Sequence, residues 1–147
     1  MKEVQYNGLT FVPYIEREKI DARIQELAKQ ISKEYAGKCP LLLCVLNGAF
    51  PFAADLFRGI DTDAEIAFIR LKSYEGMQSS GNVKQLLGLT EDLSGRSVII
   101  VEDIVDTGHT IVGLLEELRK HNPAEVKIAT LLFKPESLRA DVKPDYV

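Results

Sequence analysis

The chain has few residues that could brace it covalently: two cysteines, Cys39 and Cys44, in 147 residues. That count excludes a disulfide scaffold, and neither thiol stands in the C-x-x-C or His-linked spacing of a zinc site. Cys44 lies inside an apolar run and reads as a small core residue. Basic charge is scarce as well. The net charge is −4, without a basic block or an arginine stripe. Binding nucleic acid by neutralising its phosphates is therefore not expected. An anionic ligand has to be held by local donors rather than by a global field. No apolar run reaches membrane-spanning length, and residues 1–11 lack the apolar centre of a signal peptide. The expectation is a cytoplasmic protein that touches no membrane. Neither G-x-x-x-x-G-K-[ST] nor G-x-G-x-x-G occurs, so the familiar nucleotide loops are missing too. Internal repeats, heptads and low-complexity segments are also lacking.

What is present is an alternation of amphipathic stretches and apolar runs. Residues 16–35 carry Ile20, Ile24, Leu27 and Ile31 at helical spacing with charges between them. Gly37 and Pro40 punctuate the end of that helix. Residues 41–46 form a continuous apolar run suited to a strand covered on both faces. A short helix is predicted over 50–57 and a strand over 64–71. Residues 75–82, with their glycines and serines, read as a mobile loop or the tip of a long hairpin. Residues 84–89 would be its returning arm. The strongest strand is 96–103, followed by a helix over 110–121 and a strand over 126–133, whose edge is expected to be exposed. Residues 1–13 read as a lead-in, with at most an edge strand. This order predicts an α/β fold: a parallel sheet with right-handed crossovers and helices on both faces. One domain over residues 1–147 is long enough to bury about two-thirds of its unfolded surface. Ligands of such sheets sit at the carboxyl ends of strands, where Asn47, Glu102, Asp103 and Lys134 fall.

One junction concentrates the chemistry. Apolar Val98-Ile99-Ile100-Val101 runs into Glu102-Asp103-Ile104-Val105-Asp106, and Thr107-Gly108-His109-Thr110 then opens a helical pattern. Acids at a strand end suit Mg2+ or sugar hydroxyls. N–H groups at a following helix start suit a phosphate. A ligand that needs both within a few residues is a phosphorylated sugar carrying a metal-bound polyphosphate. Solvation also places acids at strand ends, Asp106 and Thr107 are N-cap types, and Gly108 would serve a plain turn. Those structural readings stand beside the functional one.

The segment from Val101 to Thr110 resembles the phosphoribosyl-diphosphate (PRPP) motif of the type I phosphoribosyltransferases. Three more segments resemble that family's hypoxanthine-guanine branch. Leu43-Cys44-Val45-Leu46-Asn47-Gly48-Ala49-Phe50 is similar to its pyrophosphate loop. Phe68-Ile69-Arg70-Leu71-Lys72-Ser73-Tyr74 is similar to the start of its catalytic loop. Leu131-Leu132-Phe133-Lys134 and Lys143-Pro144-Asp145-Tyr146-Val147 are similar to its purine side. The resemblance implies a Rossmann-like parallel core with a mobile hairpin loop. It also implies transfer of 5-phosphoribosyl from PRPP to a 6-oxopurine, giving a purine nucleoside monophosphate (IMP or GMP) and pyrophosphate.

Residue by residue, the resemblance implies that Asp106, Thr107, Gly108, His109 and Thr110 wrap the 5′-phosphate, His109 mainly through its backbone. Glu102 and Asp103 would hold the ribose hydroxyls, directly or through Mg2+. Asp106 would also exchange a proton with the base. Leu46, Asn47 and Gly48 would present N–H groups to pyrophosphate, with a cis peptide before Asn47 that nothing in the sequence announces. Many relatives carry Lys where Asn47 stands, so a charge is lost there. Arg70 reads either as a structural cation or as an aid to anions. Ser73 and Tyr74 would close over the reacting centre. Lys134 would hydrogen-bond the 6-oxo group, although a lone Lys after a buried strand also snorkels.

Relatives are assembled as homodimers or homotetramers, which sets the expectation here. They also continue beyond the Lys-Pro-Asp-Tyr-Val segment. The base-stacking aromatic, the base-edge contacts and an Arg near pyrophosphate are expected to be missing after Val147, leaving a complete PRPP half and a weak purine half. Two alternatives stay open: a preference for xanthine and guanine, and a non-catalytic PRPP or nucleotide sensor.

Overall fold

Apolar runs bounded by turn residues become the strands of the computed structural model, which describes residues 2–73 and 83–147. The chain runs β1 (Val4–Tyr6), β2 (Leu9–Phe11), α1 (Arg17–Glu34), β3 (Leu41–Leu46), α2 (Phe50–Gly59), β4 (Glu65–Ser73), β5 (Val83–Leu87), β6 (Ser97–Val105), α3 (His109–Arg119) and β7 (Glu125–Phe133). A five-stranded sheet has the order β5-β4-β3-β6-β7. It is parallel except for β5, which returns antiparallel along β4. The candidate loop at 75–82 lies outside the described residues.

Alternation along each strand divides the core. Leu42, Cys44, Ile99 and Val101 face Ile24, Leu27 and Ile31 of α1 and Phe52 and Leu56 of α2. Leu41, Leu43, Val98 and Ile100 face Ile111, Leu114 and Leu118 of α3. Both faces of β3 and β6 are therefore covered, which is why those segments read as unbroken apolar runs. Burial pushes the Cys44 thiol up to about 11, in keeping with a packing residue.

Two expectations are corrected. Residues 4–11 form an antiparallel hairpin rather than a lead-in, turned by Asn7-Gly8 with Val4 opposite Phe11. The outer edge of β7 is covered at its middle, over residues 128–130, rather than exposed throughout. The Asp145 carboxylate accepts the Ile128 N–H at 2.8 Å, the Thr130 N–H donates to the Tyr146 carbonyl at 2.9 Å, and Tyr146 bridges in parallel to Ala129. The Tyr146 hydroxyl donates to Glu34, which ties this segment to α1.

Candidate active site

From β3 the chain crosses by α2 to β4 on one side of the sheet. From β6, the neighbour of β3, it crosses by α3 to β7 on the other. The loops leaving β3 and β6 both lie at the carboxyl ends of their strands, the end where ligands of such sheets bind. There Gly48 of the β3–α2 loop adjoins Asp103 of β6.

Glu102 and Asp103 follow each other near the end of β6, and both line the cleft of the β6–α3 loop. Glu102 is buried, at 8% exposure. Burial first, and then the neighbouring Asp103 charge, push its carboxyl up to about 8. Asp103 is half-buried, and its Oδ1 accepts the Ile104 N–H at 2.8 Å. Its other oxygen lies against the backbone of Gly48, in the β3–α2 loop. The Leu46–Asn47 peptide in that loop is cis.

The β6–α3 loop is shaped from behind. Gly108 adopts φ 90° as the residue before α3. A β-carbon there would come to 3.0 Å from both Leu138 Cδ1 and Val142 Cγ1. The Thr107 carbonyl accepts the N–H groups of Arg139 at 2.8 Å and Ala140 at 3.1 Å. Residues 138–142 thus pin the loop, a support that sequence reasoning missed. The first turn of α3 starts at His109 and Thr110, and the first intrahelical bond, Val112 N–H to Gly108 O, spans 3.0 Å. The His109 N–H reaches Thr107 Oγ1 only at 3.4 Å. The His109 N–H, at the start of α3, thus has only a weak internal partner. Neither Asp106 nor Thr107 is the N-cap, since Gly108 holds that place without a side-chain capping bond.

Residues 102–108, Thr110 and Ile111 enclose a cleft of about 250 Å³. Lys134, just past β7, sets its ammonium 3.9 Å from Asp106 Oδ1. On the far side of the β3–α2 loop, Arg70 Nη2 donates to Asn47 Oδ1 at 3.3 Å. Ser73 ends β4, and Tyr74 lies outside the described residues. A larger groove of about 560 Å³, lined in part by Arg119, Glu125 and Asp141, opens at the amino end of β7, away from these groups.

The donor set suits a hard cation held mainly by its ligands. Among the described residues no cluster of three or more metal-binding side chains exists. The two adjacent carboxylates repel each other, with one of them desolvated, and a divalent cation shared with substrate oxygens would relieve that. Mg2+ favours such sparse protein coordination, with waters and phosphates completing the shell. The residues present therefore fit that ion.

Comparison with known proteins narrows the chemistry. The family model described as the phosphoribosyl transferase domain matches residues 15–147. The hypoxanthine-guanine phosphoribosyltransferase of Streptococcus thermophilus (strain CNRZ 1066) is 46% identical over 132 residues, which is 89% of this chain and 73% of that protein. The enzyme of that name from Lactococcus lactis subsp. lactis is 45% identical over 133 residues, 90% of this chain and 72% of its own length. Among solved structures, the hypoxanthine-guanine phosphoribosyltransferase of Bacillus anthracis with HEPES in its active site superposes with a TM-score of 0.85. It is 38% identical, over 93% of this chain and 79% of that one. No helix among the described residues is long and apolar enough to cross a membrane.

Proposed function

The chain belongs to the phosphoribosyl transferase family, and from that premise we propose that it moves a 5-phosphoribosyl group from PRPP to hypoxanthine or guanine. The products are IMP or GMP and pyrophosphate, a purine-salvage reaction. The observation that carries this reading is the contact between two loops at the sheet's switch point. The β3–α2 loop adjoins the acid pair of β6 where Gly48 meets Asp103, and the cleft of the β6–α3 loop runs from that same acid pair to the start of α3.

The base attacks the anomeric carbon through N9, and the bond from that carbon to the pyrophosphate oxygen breaks with its electron pair on pyrophosphate. Positive charge gathers on the ribose, and negative charge on the leaving group. Thr107, Gly108, His109 and Thr110 hold the 5′-phosphate with backbone and hydroxyl donors, which fixes the ribose for in-line displacement. Glu102 and Asp103 hold the ribose diol and would hold Mg2+ alongside it. The bound ion would supply counter-charge to pyrophosphate. Leu46, Asn47 and Gly48 present the pyrophosphate loop. Lys134 donates to the purine 6-oxo group, a contact that adenine's amino group would not make. Asp106 takes the proton released at the base's N7 position. Ser73 and Tyr74 close the site. The proposed setting is the cytoplasm. The proposed assembly is a homodimer or homotetramer, which the apolar hairpin supports with Tyr6 67% and Leu9 60% exposed.

The test is nucleotide formation from PRPP and Mg2+ with hypoxanthine, guanine, xanthine and adenine offered separately. Turnover with hypoxanthine or guanine is the expected result. Turnover confined to xanthine and guanine would move the preference. Mg2+-dependent PRPP binding without turnover on any base would favour a sensor.

A further inference from the structure

The β3–α2 loop, Leu46-Asn47-Gly48-Ala49, carries no charge of its own. The pyrophosphate released in the proposed reaction gains charge as its bond to the ribose breaks. Backbone N–H groups offer that anion dipoles but no full counter-charge. Arg70 stands beside this loop. It lies opposite Leu46 in the parallel pairing of β3 with β4, is exposed, and reaches Asn47 Oδ1 at 3.3 Å. A guanidinium has only donors, so the Asn47 amide must turn its oxygen to it and its NH2 the other way.

The nature of that partner matters. Arg96 and Arg58 are each matched to a carboxylate, Glu65 and Asp55. Arg70 is matched to a neutral amide, and among the described residues no carboxylate pairs with it. Among the described residues its charge is therefore oriented without being compensated. The same loop meets Asp103 through Gly48, so the cation flanks one side of the loop and the acid the other. A planar fork of donors matches phosphate oxygens two at a time. We infer that Arg70 is the pyrophosphate-binding cation of this site and that Asn47 is its positioning residue, steering the guanidinium to the loop without neutralising it. The inference rests on the PRPP reading above.

Titration calorimetry with magnesium pyrophosphate on the wild-type protein, Arg70→Gln, Arg70→Lys and Asn47→Asp tests it. Arg70→Gln should weaken pyrophosphate binding roughly 10- to 100-fold, the range of one charge-assisted hydrogen bond. Arg70→Lys should recover part of the loss. Asn47→Asp, which supplies the missing counter-charge, should weaken binding in the same direction as Arg70→Gln. Steady-state kinetics should show a raised KM for PRPP with the KM for the purine unchanged. Ribose 5-phosphate binding, which uses the β6–α3 loop, should be unaltered in Arg70→Gln and serves to show that the site is intact. Pyrophosphate binding by Arg70→Gln within twofold of wild type would overturn the inference and leave the PRPP reading standing. Equal losses of pyrophosphate and ribose 5-phosphate binding would also overturn it, by showing a structural role. Failure of the wild type itself to bind either ligand would remove the PRPP reading, and this inference with it.

Discussion

Gly48 and Asp103 occupy one space: the Asp103 carboxylate lies where a β-carbon on residue 48 would project. The absence of a side chain at residue 48 therefore lets the β3–α2 loop close onto β6. The loop and the acid are positioned by each other, and a change at either is felt at both.

Gly48→Ala should separate folding from function. The obstructing atom is the tip of a side chain, so the carboxylate can swing aside and the fold should lose no more than about 0.5–1 kcal/mol. The displaced acid would no longer meet the ribose hydroxyls in register. A misplacement of about 1 Å can cost on the order of 100-fold in rate. The expected result is a fall of roughly 10- to 100-fold in kcat/KM for PRPP with a nearly unchanged melting temperature. A large drop in melting temperature would instead make the contact structural.

Gly108→Ala should behave differently. Here φ is 90°, and the β-carbon would press on Leu138 and Val142 at 3.0 Å. A side chain at such a φ is strained by about 1–3 kcal/mol, and the segment behind it is itself bonded to Thr107. Urea denaturation should show a destabilisation of that size together with lost PRPP binding. Unchanged stability would mean that residues 138–142 yield more easily than their bonds to Thr107 imply.

Burial of Glu102 makes a pH dependence in the absence of divalent cation. Its carboxyl stands at about 8 in the folded chain against 4.5 for the ordinary group. Between those values the folded chain keeps a proton that the unfolded chain has released. Raising pH through the window therefore favours unfolding, by at most about 1.4 kcal/mol per pH unit. The stability is fully present below the ordinary carboxylate value and lost as pH approaches the folded one. Urea midpoints between pH 5 and 8 should fall for the wild type (about one proton's worth) and stay flatter for Glu102→Gln. Parallel curves for the two proteins would place the slope elsewhere.

The parts of this architecture that were legible in the sequence are those with a short period or a single covered run. Leu41–Leu46 is apolar at every position because both of its faces are packed, and it ends at the residue where the run ends. Ile24, Leu27 and Ile31 mark α1 for the same reason on one face. The acid pair and the Thr107–Thr110 loop were legible because polar chemistry interrupts the β6 run. What could not be seen joins segments far apart in the chain. Leu138 and Val142 behind Gly108, Tyr146 on Glu34 and Arg70 on Asn47 follow no sequence period. The hairpin escaped notice although Asn7-Gly8 between short apolar segments signals one, because its strands have only three residues each.

Asp106 is where sequence left two readings open, and the geometry separates them. An N-capping role would make Asp106→Asn a change in helix stability. The cap of α3 is Gly108, with no side-chain bond to the helix, so Asp106 does not perform that role. Its carboxylate instead faces the Lys134 ammonium at 3.9 Å, with both side chains more than half exposed. An ion pair so placed is worth about 0–1 kcal/mol, so Asp106→Asn should leave the melting curve nearly unchanged. Asparagine also keeps the shape and a hydrogen-bonding oxygen, so PRPP affinity should hold. What it loses is the capacity to take a proton, a contribution of about 10²–10⁴ in rate where a general base acts. Single-turnover mixing of the PRPP-loaded variant with hypoxanthine should show that loss in the chemical step. An undiminished step would reduce Asp106 to the anion that orients Lys134. In that case Lys134→Met, rather than Asp106→Asn, would be the variant that loses discrimination between 6-oxo and 6-amino purines.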